Sequence, residues 1–297
     1  MDPARHWYDH DHTLTFGRRL PDGSTALRWR GPALMGIVNV TPDSFSDGGH
    51  LVALDDAVES GLRLAAEGAM VVDVGGESTR PGAESVAAAE ELRRVVPVIE
   101  VLASRGLLLS IDTRKPAVAA AALAAGARIV NDVGGLRDEE MTALCAREGA
   151  PVVITHMQGE PATMQAAPHY TDVVTEVSNY LRAASERALG AGVPDVLIDP
   201  GIGFGKTVAH NLALLQATGR LAALGRGVLV GASRKGFLDK IARVPRPADR
   251  LGGSLAAHLA AARLGAAMLR VHDVEQHRQA LAVEAALAAG LTYSERG

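Results

Sequence analysis

Short apolar runs recur along the chain, and each stops against a polar side chain. Residues 33–38 run into Asn39, 69–72 into Asp73, 107–111 into Asp112 and 128–130 into Asn131. Further on, 151–155 run into His156, 196–198 into Asp199 and 227–232 into Ser233, while 266–271 contain Arg270 and meet His272. Between them lie stretches with apolar residues at helical spacing, predicted as helices over 54–67, 87–105, 115–125, 138–148, 171–191, 209–223, 249–264 and 274–289. Glycine follows or ends most of them, as at Gly106, Gly126 and Gly149, where a C-cap needs a left-handed residue. Strand–helix alternation with short strands makes a parallel sheet. An open doubly wound sheet is the rival architecture. Eight units in roughly 260 residues favour closure, so the expected fold is an α/β (β/α)8 TIM barrel whose strand C-termini gather at one mouth.

Residues 1–32 stand outside this pattern. Segments 13–16 and 25–29, with Asp22-Gly23 between them, predict a β-hairpin. The expected organisation is therefore an N-terminal extension, 1–32, followed by one barrel domain, 33–297. His6, His10 and His12 read as part of a solvated extension rather than a metal tract.

Composition narrows the function classes. The 297 residues are 47% hydrophobic and 22% charged, with a formal net charge of -4 and no long block of one sign. That argues against nucleic acid or an anionic membrane as partner. No apolar stretch is long enough to span a bilayer and no signal-peptide core is present, so a cytoplasmic protein is expected. The single cysteine, Cys145, allows no internal disulfide and reads as a buried structural thiol.

The candidate chemistry lies at the strand ends. Asp112, Asn131 and Asp199 are hydrogen-bonding groups that together suit a flat heterocycle with several N–H donors; singly, each would serve as a helix cap. Basic groups cluster late, in Ser233-Arg234-Lys235-Gly236, Arg270 and His272, where barrels commonly bind phosphate. Arg270 lies within an apolar run and requires an anionic partner or ligand. Asn39 and Asp43 suit Mg2+ beside a phosphate, since that ion needs few protein ligands. The run 199–207 (DPGIGFGKT) is not a nucleotide P-loop, because Pro200 stands where that motif needs glycine. Phe204 offers an apolar wall. His156 reads as structural or pocket-lining, having no nucleophile partner with its own motif. Asp73 is expected to organise the base of the loop after the second barrel strand. The loops 41–50 and 75–85 are candidate lids.

These segments resemble the dihydropteroate synthase family. The matching blocks are 35–49 (MGIVNVTPDSFSDGG), 73–82 (DVGGESTRPG), 111–116 (IDTRKP), Asn131-Asp132, 156–159, 199–206, 231–235 (GASRK) and 270–274 (RVHDV), in family order. The resemblance implies condensation of 6-hydroxymethyl-7,8-dihydropterin diphosphate with 4-aminobenzoate, giving 7,8-dihydropteroate and diphosphate by early loss of diphosphate. It implies Asp112, Asn131, Asp199 and Lys235 around the pterin. Asn39, Thr79, Arg270 and His272 would meet the diphosphate, with Mg2+ on Asn39. Phe45, Thr79, Arg80, Pro81, Phe204, Ser233, Lys235 and Gly236 would surround 4-aminobenzoate. Asn39, Lys235, Arg270 and His272 would be the catalytic set. Gly236 stands where some relatives carry serine, which leaves backbone N–H groups to meet the carboxylate there. A homodimer is likewise implied. The alternatives are a pterin-binding methyltransferase module, which needs no diphosphate site, and a pterin-binding paralogue without turnover.

Overall fold

The computed structural model describes residues 7–40, 49–79, 82–83, 85–160 and 163–289. A two-stranded antiparallel hairpin, β1 (Asp11–Thr15) and β2 (Ala26–Arg30), precedes the barrel. The barrel strands are β3 (Ala33–Asn39), β4 (Val71–Gly75), β5 (Leu109–Asp112), β6 (Ile129–Asp132), β7 (Val152–Thr155), β8 (Val196–Asp199), β9 (Gly227–Val230) and β10 (Met268–Val271). All pair in parallel, and β10 closes onto β3. The helices are α1 (Gly49–Ala66), α2 (Ala88–Ser104), α3 (Pro116–Ala125), α4 (Glu139–Glu148), α5 (Val173–Gly190), α6 (Val208–Gln216), α7 (Thr218–Ala222), α8 (Gly236–Ala242), α9 (Leu251–Arg263) and α10 (Val274–Ala288). No helix among the described residues is long and apolar enough to cross a membrane.

The expected barrel is present, with three departures. The helix expected over 209–223 breaks at Ala217 into α6 and α7. The short α8, within the stretch after Lys235, was not foreseen. The strand expected to stop before Asp73 continues to Gly75, which pairs with Asp112 of β5. Asp73 is thus the middle residue of β4 and fully buried.

Side chains alternate along each strand. One set, including Val72, Val74, Ile111, Val130, Ile154, Ile198, Val230 and Leu269, packs against the helices in the main core. The other set fills the barrel's lower end. Met35, Val71, Ile129, Val153, Leu197, Leu229 and Met268 form a second core with Leu14, Phe16, Leu20 and Trp29 of the hairpin. The hairpin is therefore a plug under the barrel. Trp29 Nε1 donates to Ala267 O at 2.9 Å, and the backbone N–H groups of Thr15 and Gly17 bond Asp195 Oδ2 (2.9 Å) and Gly149 O (2.8 Å). The solvated extension expected around His10 and His12 is thus corrected for the hairpin, while His6 lies outside the described residues. His12 stacks on Trp29 at 5.4 Å and is half-buried, and burial lowers its pKa. The connection between β1 and β2 is longer than a two-residue loop: Gly23 N–H closes a turn onto Leu20 O at 2.8 Å.

Candidate active site

Two residues beyond each apolar residue of the lower layer, on the same face of the strand, stands an upper layer at the mouth. Val71 gives way to Asp73, Ile129 to Asn131, Leu197 to Asp199 and Met268 to Arg270. Asp112 joins them from the end of β5. A charge cluster inside a barrel is costly unless paired, and Arg270 supplies the pairing. Its Nε donates to Asp73 Oδ2 at 2.6 Å and its Nη2 to Asp112 Oδ2 at 2.6 Å. Asn131 Nδ2 donates to the same Asp73 oxygen at 2.9 Å. The anionic partner expected for Arg270 is thus met twice from within the chain. Asp73 takes part in the mouth itself, and its expected role at the base of a lid is wrong.

That lid base is instead held by Glu77, which the sequence reading passed over. Lys115 Nζ bridges Glu77 and the fully buried Glu91 of α2, Thr113 Oγ1 donates to Glu91 at 2.7 Å, and Glu77 accepts the Val86 N–H at 3.1 Å. Glu91 lies on the apolar face of α2 with Val95, Val98 and Leu102. An acid in such a stripe is the signal that could have flagged this network.

The upper layer is incompletely hydrogen-bonded within the protein. Asp73 Oδ1, Asp112 Oδ1, Asn131 Oδ1 and Ser110 Oγ are buried and have no partner among the described residues. Desolvation raises the Asp112 carboxyl, with Asp73 and Glu91 adding to it and Arg270 and Lys235 opposing. Burial also raises Asp199, against the Gly201 N–H that bonds its Oδ1 at 2.7 Å and the charges of Lys235, Lys206 and Arg270. For Arg270, burial is outweighed by Asp73 and Asp112, and its pKa is raised. Beside this group Gly231 leaves space, since a Cβ there would lie 3.8 Å from both Arg270 Cβ and Asp199 Oδ2.

The loop after β8 forms one wall. At Gly201 (φ +68°) an added Cβ would fall 1.8 Å from His156 O, so only glycine fits. Lys206, also passed over in the sequence reading, is buried beneath the loop. Its Nζ bonds Phe204 O (2.9 Å), His156 O (3.2 Å) and His156 Nδ1 (3.1 Å). Burial lowers its pKa to about 7, with Asp199 opposing. His156 is buried beside it: burial, then the charge of Lys206, pushes it down to about 3, and its ring lies edge-on to Tyr180 at 5.1 Å. Lys235 Nζ lies 3.8 Å above the Phe204 ring, and Gly203 (φ +82°) lets the Lys235 stem pass. Ser233 Oγ and His272 Nδ1 are 2.9 Å apart.

Of the sites expected from sequence, Asp112, Asn131, Asp199, Lys235, Arg270, Phe204, Ser233 and His272 are brought to this end of the barrel. Asn39 ends β3, half-buried, and Thr79 is half-buried in the loop after β4. Gly236 opens α8, where an added Cβ would meet nothing within 4 Å. Phe45, Arg80, Pro81 and Asp43 lie outside the described residues. Among the described residues no group of three or more His, Cys, Asp or Glu is placed to hold a metal ion. A single amide oxygen at Asn39 fits Mg2+ only where phosphate and water supply the other ligands. Cys145 is buried in α4, and burial pushes its thiol up to about 12, which suits a structural role.

Comparison with known proteins agrees with this geometry. The pterin binding enzyme family matches residues 35–272. The dihydropteroate synthase of Escherichia coli is 45% identical over 269 residues, covering 89% of this chain and 95% of the relative. A probable bifunctional folylpolyglutamate synthase/dihydropteroate synthase of Haloferax volcanii is 47% identical over 85% of the chain, which spans 30% of that longer protein. The structure of Xanthomonas albilineans dihydropteroate synthase in complex with 7,8-dihydropteroate superposes with a TM-score of 0.82 at 47% identity, covering 92% of this chain and 99% of that one. With the expected motifs gathered in one barrel mouth and these matches over most of its length, the chain belongs to the dihydropteroate synthases, within the pterin-binding enzyme family.

Proposed function

We propose that this chain condenses 6-hydroxymethyl-7,8-dihydropterin diphosphate with 4-aminobenzoate to give 7,8-dihydropteroate and diphosphate. The observation that carries the reading is the set of buried acceptors without a partner among the described residues, Asp73 Oδ1, Asp112 Oδ1 and Asn131 Oδ1, one layer above an apolar plug. Buried acceptors are costly unless bonded, and the amino-pyrimidinone edge of a pterin offers the N–H donors they need. Asp199 completes that cradle beside Gly231, and Lys235 covers it with Phe204.

The reaction asks little of a base. The carbon–oxygen bond to diphosphate breaks first, and the dihydropterin ring delocalises the resulting cation. The aniline nitrogen then forms the carbon–nitrogen bond and releases its proton to solvent or to the departing diphosphate. Arg270, already held by two carboxylates, and His272, held by Ser233, stabilise charge developing on the leaving group. Thr79 belongs to the diphosphate end and, with Phe45, Arg80, Pro81, Phe204, Ser233, Lys235 and Gly236, to the 4-aminobenzoate end. Asn39 would hold Mg2+, which when bound neutralises diphosphate charge. Residues 33–297 act as one catalytic domain, with 1–32 its extension. The reading is completed by a homodimer acting in the cytoplasm.

One assay tests the reading. The chain is supplied with both substrates and Mg2+, and diphosphate release and dihydropteroate formation are followed together. Equal amounts of both products are expected. Pterin binding without diphosphate release contradicts catalysis and supports the non-catalytic alternative; no pterin binding contradicts the whole reading.

A further inference from the structure

The turn that carries Ser233 and Lys235 is strained and is clamped from behind. Arg234 has φ +58°, a left-handed conformation that side chains other than glycine seldom adopt. Such a residue persists where its surroundings impose it. Here Arg250, Ser254 and His258, spaced four apart on one face of α9 and its N-cap, each bond the backbone of this turn. Ala232 N–H donates to His258 Nε2 at 3.0 Å, Arg234 N–H donates to Ser254 Oγ at 2.9 Å, and Arg250 Nη1 donates to Arg234 O at 2.9 Å. Ser254 and His258 are fully buried.

The direction of every bond is fixed. Ser254 Oγ gives its own proton to Arg250 O at 2.8 Å, so it can only accept from Arg234. His258 Nε2 accepts from Ala232, which places the His258 proton on Nδ1, 2.8 Å from His277 Nε2. His277 Nε2 must then accept, and His277 Nδ1 donates to Asp273 O at 2.7 Å. Asp273 in turn receives the Arg234 guanidinium through both oxygens. The circuit joins the turn after β9 to the residues after β10, behind the Ser233–His272 contact.

We propose that Ser254 and His258, backed by His277, are positioning residues for the second substrate: they hold Arg234 left-handed and so aim Ser233 and Lys235 into the mouth. The inference rests on the proposed synthase reaction. Each member of this period-four polar stripe in an Ala- and Leu-rich helix sends one polar atom to this one turn.

The test is steady-state kinetics with both substrates and Mg2+ on the parent, Ser254→Ala, His258→Leu and His258→Gln, with melting temperatures measured alongside. Ser254→Ala and His258→Leu are expected to raise KM for 4-aminobenzoate about tenfold, with KM for the pterin within about twofold of the parent. His258→Gln, whose amide oxygen can still accept the Ala232 N–H, should recover most of that loss. In an Arg234→Gly background, where the left-handed turn is free of strain, Ser254→Ala should have a smaller effect. Parent-like KM values in Ser254→Ala, with only a lower melting temperature, overturn the positioning role while the proposed function stands. A parent that makes no dihydropteroate overturns the function itself. Should His258→Leu fail to fold, Ser254→Ala, which removes a single oxygen, decides.

Discussion

Met35, Val71, Ile129, Leu197 and Met268 at the lower end of the barrel lie two residues before Ile37, Asp73, Asn131, Asp199 and Arg270 at the upper end, on the same strands. Below, the hairpin drives Trp29 and Leu14 into an apolar layer, with the Trp29 indole N–H bonded to Ala267 O. Above, three carboxylates and a guanidinium share a space in which several oxygens find no partner among the described residues. The lower end gains free energy on folding, about 1.5–3 kcal/mol for each large apolar side chain buried. The upper end carries a cost that a ligand with the right donors relieves. One barrel thus separates stability from function by a single step of strand periodicity.

The comparison breaks most visibly at Arg270. Arg270→Met leaves Asp73 and Asp112 buried without their cation, so stability at neutral pH should fall by about 3–5 kcal/mol and turnover by about a hundredfold or more. Pterin retention should suffer far less than turnover. Because the Asp112 carboxyl is already raised by burial, and loses its main opposing charge in the variant, the native state takes up protons above the unfolded carboxylate range. The stability deficit should therefore shrink as pH falls, as urea titrations at several pH values would show. A pH-independent deficit sinks the paired-charge account.

At the other end, Trp29→Ala should cost about 3–5 kcal/mol in denaturant unfolding while leaving kcat and both KM values at 25 °C unchanged in the folded fraction. Loss of activity without loss of stability would show that the hairpin does more than plug the barrel. His156 sharpens the boundary between the ends. Its pKa falls from 6.5 unfolded to about 3 folded, so the unfolded chain binds the proton first as pH drops below 6.5. Stability from this group is present above that pH and lost on acidification toward the folded value. Between pH 6 and 4, His156→Gln should lose the parent's slope by about 1.4 kcal/mol per pH unit. The smallest effect belongs to Cys145→Ala, at about 1 kcal/mol and with unaltered turnover; rapid alkylation of native Cys145 by iodoacetamide would contradict its burial.

The fold was legible because a parallel barrel writes itself twice, in apolar strand runs and in the glycines that end its helices. Asp112, Asn131, Asp199 and the late basic groups were legible because each closes a run that needs no polar residue. Asp73 was misplaced because β4 runs on through Val74 to Gly75, and glycine gave the pattern no apolar end to mark. Lys206 was missed because nothing along the chain reveals that three acceptors converge on it from His156 and Phe204. Glu77 and Lys115 meet across loops that sequence spacing does not relate. The break at Ala217 was hidden because both halves of that helix are apolar on one side. The hairpin was foreseen, but its docking was not: Trp29 finds Ala267 O across most of the chain.

The central claim is that the upper layer is a pterin cradle held ready by the barrel, and calorimetry addresses it directly. Titrating 6-hydroxymethyl-7,8-dihydropterin diphosphate with Mg2+ into the parent and into Asp199→Ala should give saturable binding to the parent. No measurable binding to the variant is expected, although both proteins unfold cooperatively. Parent-like affinity in Asp199→Ala would contradict the account.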